Sequence, residues 1–177
     1  MSLNLAAGRG VTQVVERCEQ AKNSGTLDLS NCQLLYIADA VYMLLKGHEI
    51  DKVNIRNNMM KKFPRKFVEK FPNVTVLNME ANEIAEIPQE CASWSSLKGV
   101  NASQNQFAAF PEPFFSLAQL KFICLSSNLI EEIDAEKLYT CLPELTHLDL
   151  SDNRLSEETK IELETHHKKP AGLTLKL

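Results

Sequence analysis

The residues in this chain whose types suit covalent or metal chemistry are Cys124, His147 and Asp149, a thiol, an imidazole and a carboxylate. A thiol acts as a nucleophile when a base lies within hydrogen-bond reach and donors await the developing oxyanion. The same groups make a short ligand list for zinc. A second candidate is the adjacent pair His166-His167, followed by Lys168 and Lys169. Read as the last turn of a helix, neighbouring residues cannot place both rings on one face, so complementing the helix dipole is preferred to metal binding. Phosphate chemistry has less support, since neither GxxxxGK(S/T) nor GxGxxG occurs. What becomes of the trio depends on the elements that carry it.

Those elements repeat. Leu27-Asp28-Leu29-Ser30-Asn31-Cys32, Val53-Asn54-Ile55-Arg56-Asn57-Asn58 and Leu77-Asn78-Met79-Glu80-Ala81-Asn82 share a pattern that returns at Val100 to Asn105, Ile123 to Asn128 and Leu148 to Asn153. Aligned on Cys32, Asn58, Asn82, Asn105, Asn128 and Asn153, the six units lie 26, 24, 23, 23 and 25 residues apart. A fixed period of this size decides the architecture before local propensity does. Each unit reads LxxLxLxxNxL, and over residues 24–155 the chain resembles the leucine-rich-repeat family. That resemblance implies an α/β right-handed solenoid, with a curved parallel sheet on one side and short helices or turns on the convex side. It further implies a protein-binding scaffold, some relatives of this look serving as regulatory or inhibitory subunits of enzymes such as phosphatases.

The physics stands without the name. Pairs two apart, such as Leu77 and Met79, share one face of a strand, and that face must be the core. Phe63-Pro64, Ile87-Pro88 and Phe110-Pro111 recur at one phase, where proline suits the first position of an outer helical turn. Phe67, Phe71, Cys91, Phe114, Leu117, Leu138 and Leu142 are expected to point back inward. The repeated asparagine amide can both donate and accept, and so can satisfy buried loop backbone. Both ends need caps. Val11, Val14, Val15, Cys18 and Ala21 at helical spacing predict an amphipathic helix over 10–23, so residues 1–23 form the N-terminal cap and 24–155 the six repeats. Residues 156–177 form the C-terminal cap, with a helix N-capped by Ser156 and a final strand over Leu173, Leu175 and Leu177.

Composition narrows the function. Nineteen Lys plus Arg against 23 Asp plus Glu give a net charge of −4, with no whole-protein attraction for nucleic acid or anionic membrane. No cationic region followed by an apolar stretch opens the chain, and no run has the length of a membrane span. Five cysteines at irregular spacing with no CxxC argue for a reducing cytoplasm or nucleus. The expected partner is a protein, bound by a monomer, with no nucleic acid and no membrane.

Residues between the core aliphatics must face the concave side. The predicted partner-binding set is Lys52, Asn54, Arg56, Val76, Asn78, Glu80, Asn101, Ser103, Phe122, Cys124, His147 and Asp149. Phe122 is the leading hot-spot candidate, an aromatic with no core position in the repeat. Cys124 should lie beside Asp149, with His147 diagonal to it at roughly 7–8 Å. Such a sheet is open and aims no helix N-terminus at Cys124, so a Cys-dependent or metal-dependent enzyme ranks behind the binding module. Catalytic, cofactor and metal residues are expected to be none. The second repeat carries Lys52, Arg56, Lys61, Lys62, Arg65, Lys66 and Lys70, while the third carries Glu80, Glu83, Glu86 and Glu90. This predicts a dipolar surface that either steers a partner or is merely a solvated face.

Overall fold

The computed structural model describes residues 2–177, with side chains from residue 10 onward. A helix α1 (Ser2–Ser24) leads into seven three-residue strands that pair in chain order as one all-parallel sheet. The strands are β1 (Thr26–Asp28), β2 (Lys52–Asn54), β3 (Val76–Asn78), β4 (Gly99–Asn101), β5 (Phe122–Cys124), β6 (His147–Asp149) and β7 (Thr174–Lys176). Between them the outer side carries α2 (Asp39–Leu44), α3 (Arg65–Lys70), 3₁₀ turns at Gln89–Ser93 and Glu112–Ser116, α4 (Ala135–Cys141) and α5 (Glu157–Thr165).

Leu77, Ile123 and Leu148 belong to one continuous core, together with every outer residue predicted to point inward. Each such side chain contributes about 1.5–3 kcal/mol by leaving water, but only when the next coil covers it. Trp94 is fully buried, and its indole N–H donates to Phe71 O at 2.7 Å, tying the third coil to the second.

The asparagines form the predicted ladder. In Asn82 the carbonyl oxygen accepts from Met60 N–H at 3.1 Å, while the amide donates to Ile55 O and Met79 O, both at 3.0 Å. Asn58, Asn105, Asn128 and Asn153 repeat this arrangement one coil apart. The residue before each rung is left-handed, with φ between 54° and 56° at Asn31, Asn57, Ala81, Gln104, Ser127 and Asp152. No glycine marks this phase, so the sequence does not announce the turn.

Three expectations need correction. Pro64, Pro88 and Pro111 occupy the N-cap rather than the first helical position, in the extended φ/ψ that the cap requires. The fourth α-helix uses Asp134 instead, whose carboxylate accepts from Lys137 N–H at 2.8 Å. In α1, Cys18 and Ala21 are buried and Val14 is partly so, but Val11 and Val15 stay exposed. The helix leans on the first coil through its later turns and leaves an apolar groove of about 500 Å³ beside its earlier ones. Arg17, from the same helix, donates to Ser30 O at 2.5 Å and Asp28 O at 3.1 Å, engaging the first coil next to an edge strand. Finally, α5 is N-capped by Ser156 as predicted, but it ends at Thr165. His166 through Lys169 therefore follow the helix and do not form its last turn.

Candidate partner-binding face

Three rows of residues cover the open face of the sheet. In the first, Lys52, Val76, Gly99, Phe122 and His147 sit side by side on successive strands. Val76 and Phe122 are 42% and 41% exposed, a large apolar surface for strand residues that face solvent. The Phe122 ring stacks on His147 with centroids 4.6 Å apart and planes within 3°. Gly99 leaves a notch between the two apolar residues, where an added Cβ would meet only Phe122 Cβ, at 3.9 Å.

The second row does something sequence reasoning missed. Asn54, Asn78, Asn101 and Asp149 each turn a side-chain oxygen back to the N–H two residues on, at 3.1, 3.0, 3.1 and 3.1 Å. Asp28 does the same toward Ser30 at 2.9 Å. These are local turns that satisfy the backbone where each strand ends. Four residues assigned to a partner thus have one oxygen already committed to their own chain. The signal was present as Asp or Asn at one fixed phase in five of the six units. Cys124 interrupts the row, and its sulfur lies 3.3 Å from Ser126 Oγ.

The third row is also largely self-engaged. Arg56 pairs with Glu80 at 3.2 Å, Glu80 accepts from the Asn101 amide at 3.0 Å, and Ser103 is buried with its hydroxyl on Asn101. Asp149 is nearly covered as well. Burial pushes its carboxyl up, but the Ser151 hydroxyl and N–H and the Lys176 ammonium outweigh that and hold it below the usual carboxylate range.

The charges of repeats two and three stand opposite one another across adjacent coils. Arg56–Glu80 at 3.2 Å, Lys61–Glu83 at 3.9 Å, Lys62–Glu86 at 3.7 Å and Arg65–Glu90 at 3.2 Å link cations of one coil to acids of the next. Lys66 instead reaches Asp39 at 2.6 Å. Equal or neighbouring phase along the repeat brings opposite charges together, and the surface predicted to be dipolar carries a ladder of ion pairs between its two coils.

The trio Cys124, His147 and Asp149 shares this face, with Cys124 in register with Asp149. Its members are engaged elsewhere: the imidazole on Phe122, the carboxylate on Ser151 and Lys176, the thiol against Ser126. Burial raises the thiols of Cys18 and Cys32, and pushes that of Cys91 up to about 12. All five cysteines are free.

The family model for Leucine Rich Repeat matches residues 144–165. The chain is 31% identical over 95 residues to human leucine-rich repeat-containing protein 20, covering 51% of this chain and 52% of that one. Adenylate cyclase of Schizosaccharomyces pombe is 28% identical over 105 residues, or 57% of this chain and 6% of the cyclase. The chain thus spans about half the length of the first relative and a small part of the second. Among solved structures, an LRR protein of Leptospira interrogans superposes with a TM-score of 0.69 at 21% identity, over 82% of this chain and 35% of that one.

Proposed function

From the premise that this chain belongs to the leucine-rich-repeat family, we propose that it is a non-catalytic module that binds a protein partner on the concave face of its sheet. The observation that carries this reading is the row Val76, Gly99, Phe122 and His147. It is an exposed apolar strip with a central notch, flanked by polar groups that are already hydrogen-bonded. Rigid aromatics beside a satisfied polar rim are what interface centres favour. A protein suits this strip better than nucleic acid, since Arg56 is neutralised by Glu80 and the chain has a net charge of −4. Free cysteines support a reducing compartment, the cytoplasm or nucleus.

The test compares Phe122→Ala with Arg56→Ala in affinity capture from cell extract, quantified by mass spectrometry. Truncating a hot-spot aromatic costs about 2 kcal/mol or more, roughly a 30-fold loss of affinity. Proteins retained by the unaltered chain and lost with Phe122→Ala, but kept with Arg56→Ala, identify the partner set. Full retention by a folded Phe122→Ala variant overturns the assignment of this strip.

A further inference from the structure

A second cluster of ligating side chains lies on the outer side, between the fifth coil and the C-terminal cap. Glu136 in the first turn of α4, and His166 and His167 just past α5, bring one ligand atom each within 4.8 Å of one another. His166 Nε2 is 3.2 Å from Glu136 Oε2. The two imidazoles are 4.6 Å apart between centroids and tilted by 34°. Because α5 stops at Thr165, His166 is extended and His167 enters the turn closed by Lys169 N–H on His166 O at 3.0 Å, so the objection that adjacent residues diverge around a helix does not apply.

We propose that Glu136, His166 and His167 form a binding site for one divalent transition metal ion of the zinc class. Zinc holds imidazole nitrogen at about 2.0–2.1 Å and carboxylate oxygen at about 2.0–2.2 Å, so the edge of its tetrahedron is about 3.4 Å. The His166–Glu136 edge already has that length. Only His167, which is exposed, has to swing inward to complete a third vertex, and the fourth position falls to water. Two imidazoles and one carboxylate are a borderline-soft set that suits Zn²⁺, Co²⁺ and Ni²⁺ better than Ca²⁺ or Mg²⁺.

His166 is anchored as a ligand should be. Its side chain is only 11% exposed and its ring lies 5.8 Å from that of Tyr139, whose hydroxyl donates to Leu163 O at 2.6 Å. The metal would fasten the C-terminal cap to the fifth coil. Two contacts oppose it. The Lys168 ammonium engages the other Glu136 oxygen and Thr140 Oγ1, placing a cation where the metal brings its own charge. The Lys168 N–H also points at His166 Nδ1 from 3.3 Å, a long bond that is given up once Nδ1 carries the proton. Lys168 is therefore the built-in competitor.

The experiment titrates the full chain with Zn²⁺ by calorimetry and with Co²⁺ by absorption, alongside Glu136→Ala, His166→Ala, His167→Ala and Lys168→Ala. One ion per chain is expected, weakened roughly tenfold or more by each of the first three changes, against the 10–100-fold typical of losing even an outer-shell partner. Lys168→Ala should bind more tightly than the unaltered chain. Hydrogen exchange in β7 should slow when Zn²⁺ is added, an effect that Glu136→Ala abolishes. Equal affinity with and without Glu136, whose exposed side chain makes the variant safe for the fold, would mean simple dihistidine chelation and would overturn the proposal. A thiolate-to-cobalt charge-transfer band would assign the ion to a cysteine and overturn it equally.

Discussion

The two halves of the open sheet face use similar residues to opposite ends. Over β1 to β3, Asp28, Asn54, Arg56, Asn78 and Glu80 bind one another or their own backbone. Over β4 to β6, Gly99, Phe122 and His147 in the first row extend the apolar surface that Val76 opens on β3, Cys124 interrupts the second row, and the face becomes apolar and notched. A polar face closed on itself gains little from a partner, because each new bond replaces one already made. An exposed ring next to a gap has only water to lose. Position on the concave side is thus not enough to make a residue a contact, and the free valence of the side chain decides.

The sharpest break of this comparison lies in the second row, where Asn101 and Cys124 stand on adjacent strands. The Asn101 oxygen serves the N–H and hydroxyl of Ser103, and its amide serves Glu80, so Asn101→Ala should cost about 1–2 kcal/mol in denaturant unfolding. Cys124→Asn restores the missing acceptor to the Ser126 N–H and should add about 0.5–1 kcal/mol. The pair of outcomes says that the row is structural where it is Asx and vacant where it is Cys. A stabilising Asn101→Ala, or a Cys124→Asn with no gain, would return the row to the partner.

Asp149 sharpens the boundary between the halves. It lies on β6, yet behaves like the front half, held below the ordinary carboxylate range by Ser151 and Lys176 against the opposing effect of burial. A carboxyl lowered on folding contributes stability that is complete above its unfolded pKa and is lost as pH falls through its folded one. Unfolding midpoints measured from neutral pH down into the acid should therefore fall less steeply for Asp149→Asn than for the unaltered chain. An unchanged acid slope would show that the Ser151 and Lys176 contacts do not hold in solution.

What the sequence made legible, and what it hid, follows from the same distinction. Repeat phase determines which side a residue faces, so the single core, the asparagine ladder, the seventh strand and the exposure of Phe122 all follow from spacing. Pairing across coils depends on reach as well as phase. Arg56 and Glu80 are 24 residues apart, and nothing local says that they touch. Glu136 and His166 are farther apart still and meet only because the last cap folds back over α4. The helix end at Thr165 decided that case, and element boundaries are the least certain part of any pattern reading. Val11 and Val15 fit the period of α1 but outrun the coil beneath it.

The smallest effect belongs to the ion-pair ladder, and it tests whether the front half is closed by energy or only by geometry. Arg56–Glu80 has one nearly covered partner, with side chains 54% and 15% exposed, whereas both partners of Lys62–Glu86 are open at 79% and 73%. Exposed pairs contribute about 0.2–1 kcal/mol, and the gain rises when one carboxylate is shielded and further hydrogen-bonded, as Glu80 is by Asn101. Double-mutant cycles to alanine should give a coupling for Arg56–Glu80 near the top of that range and one for Lys62–Glu86 near zero. In about 1 M salt, where the screening length shrinks to about 3 Å, the outer coupling should vanish while part of the inner one persists. If both couplings are zero, the charges of the front half are as available to a partner as the aromatic strip behind them, and the contrast between the halves rests on Phe122 alone.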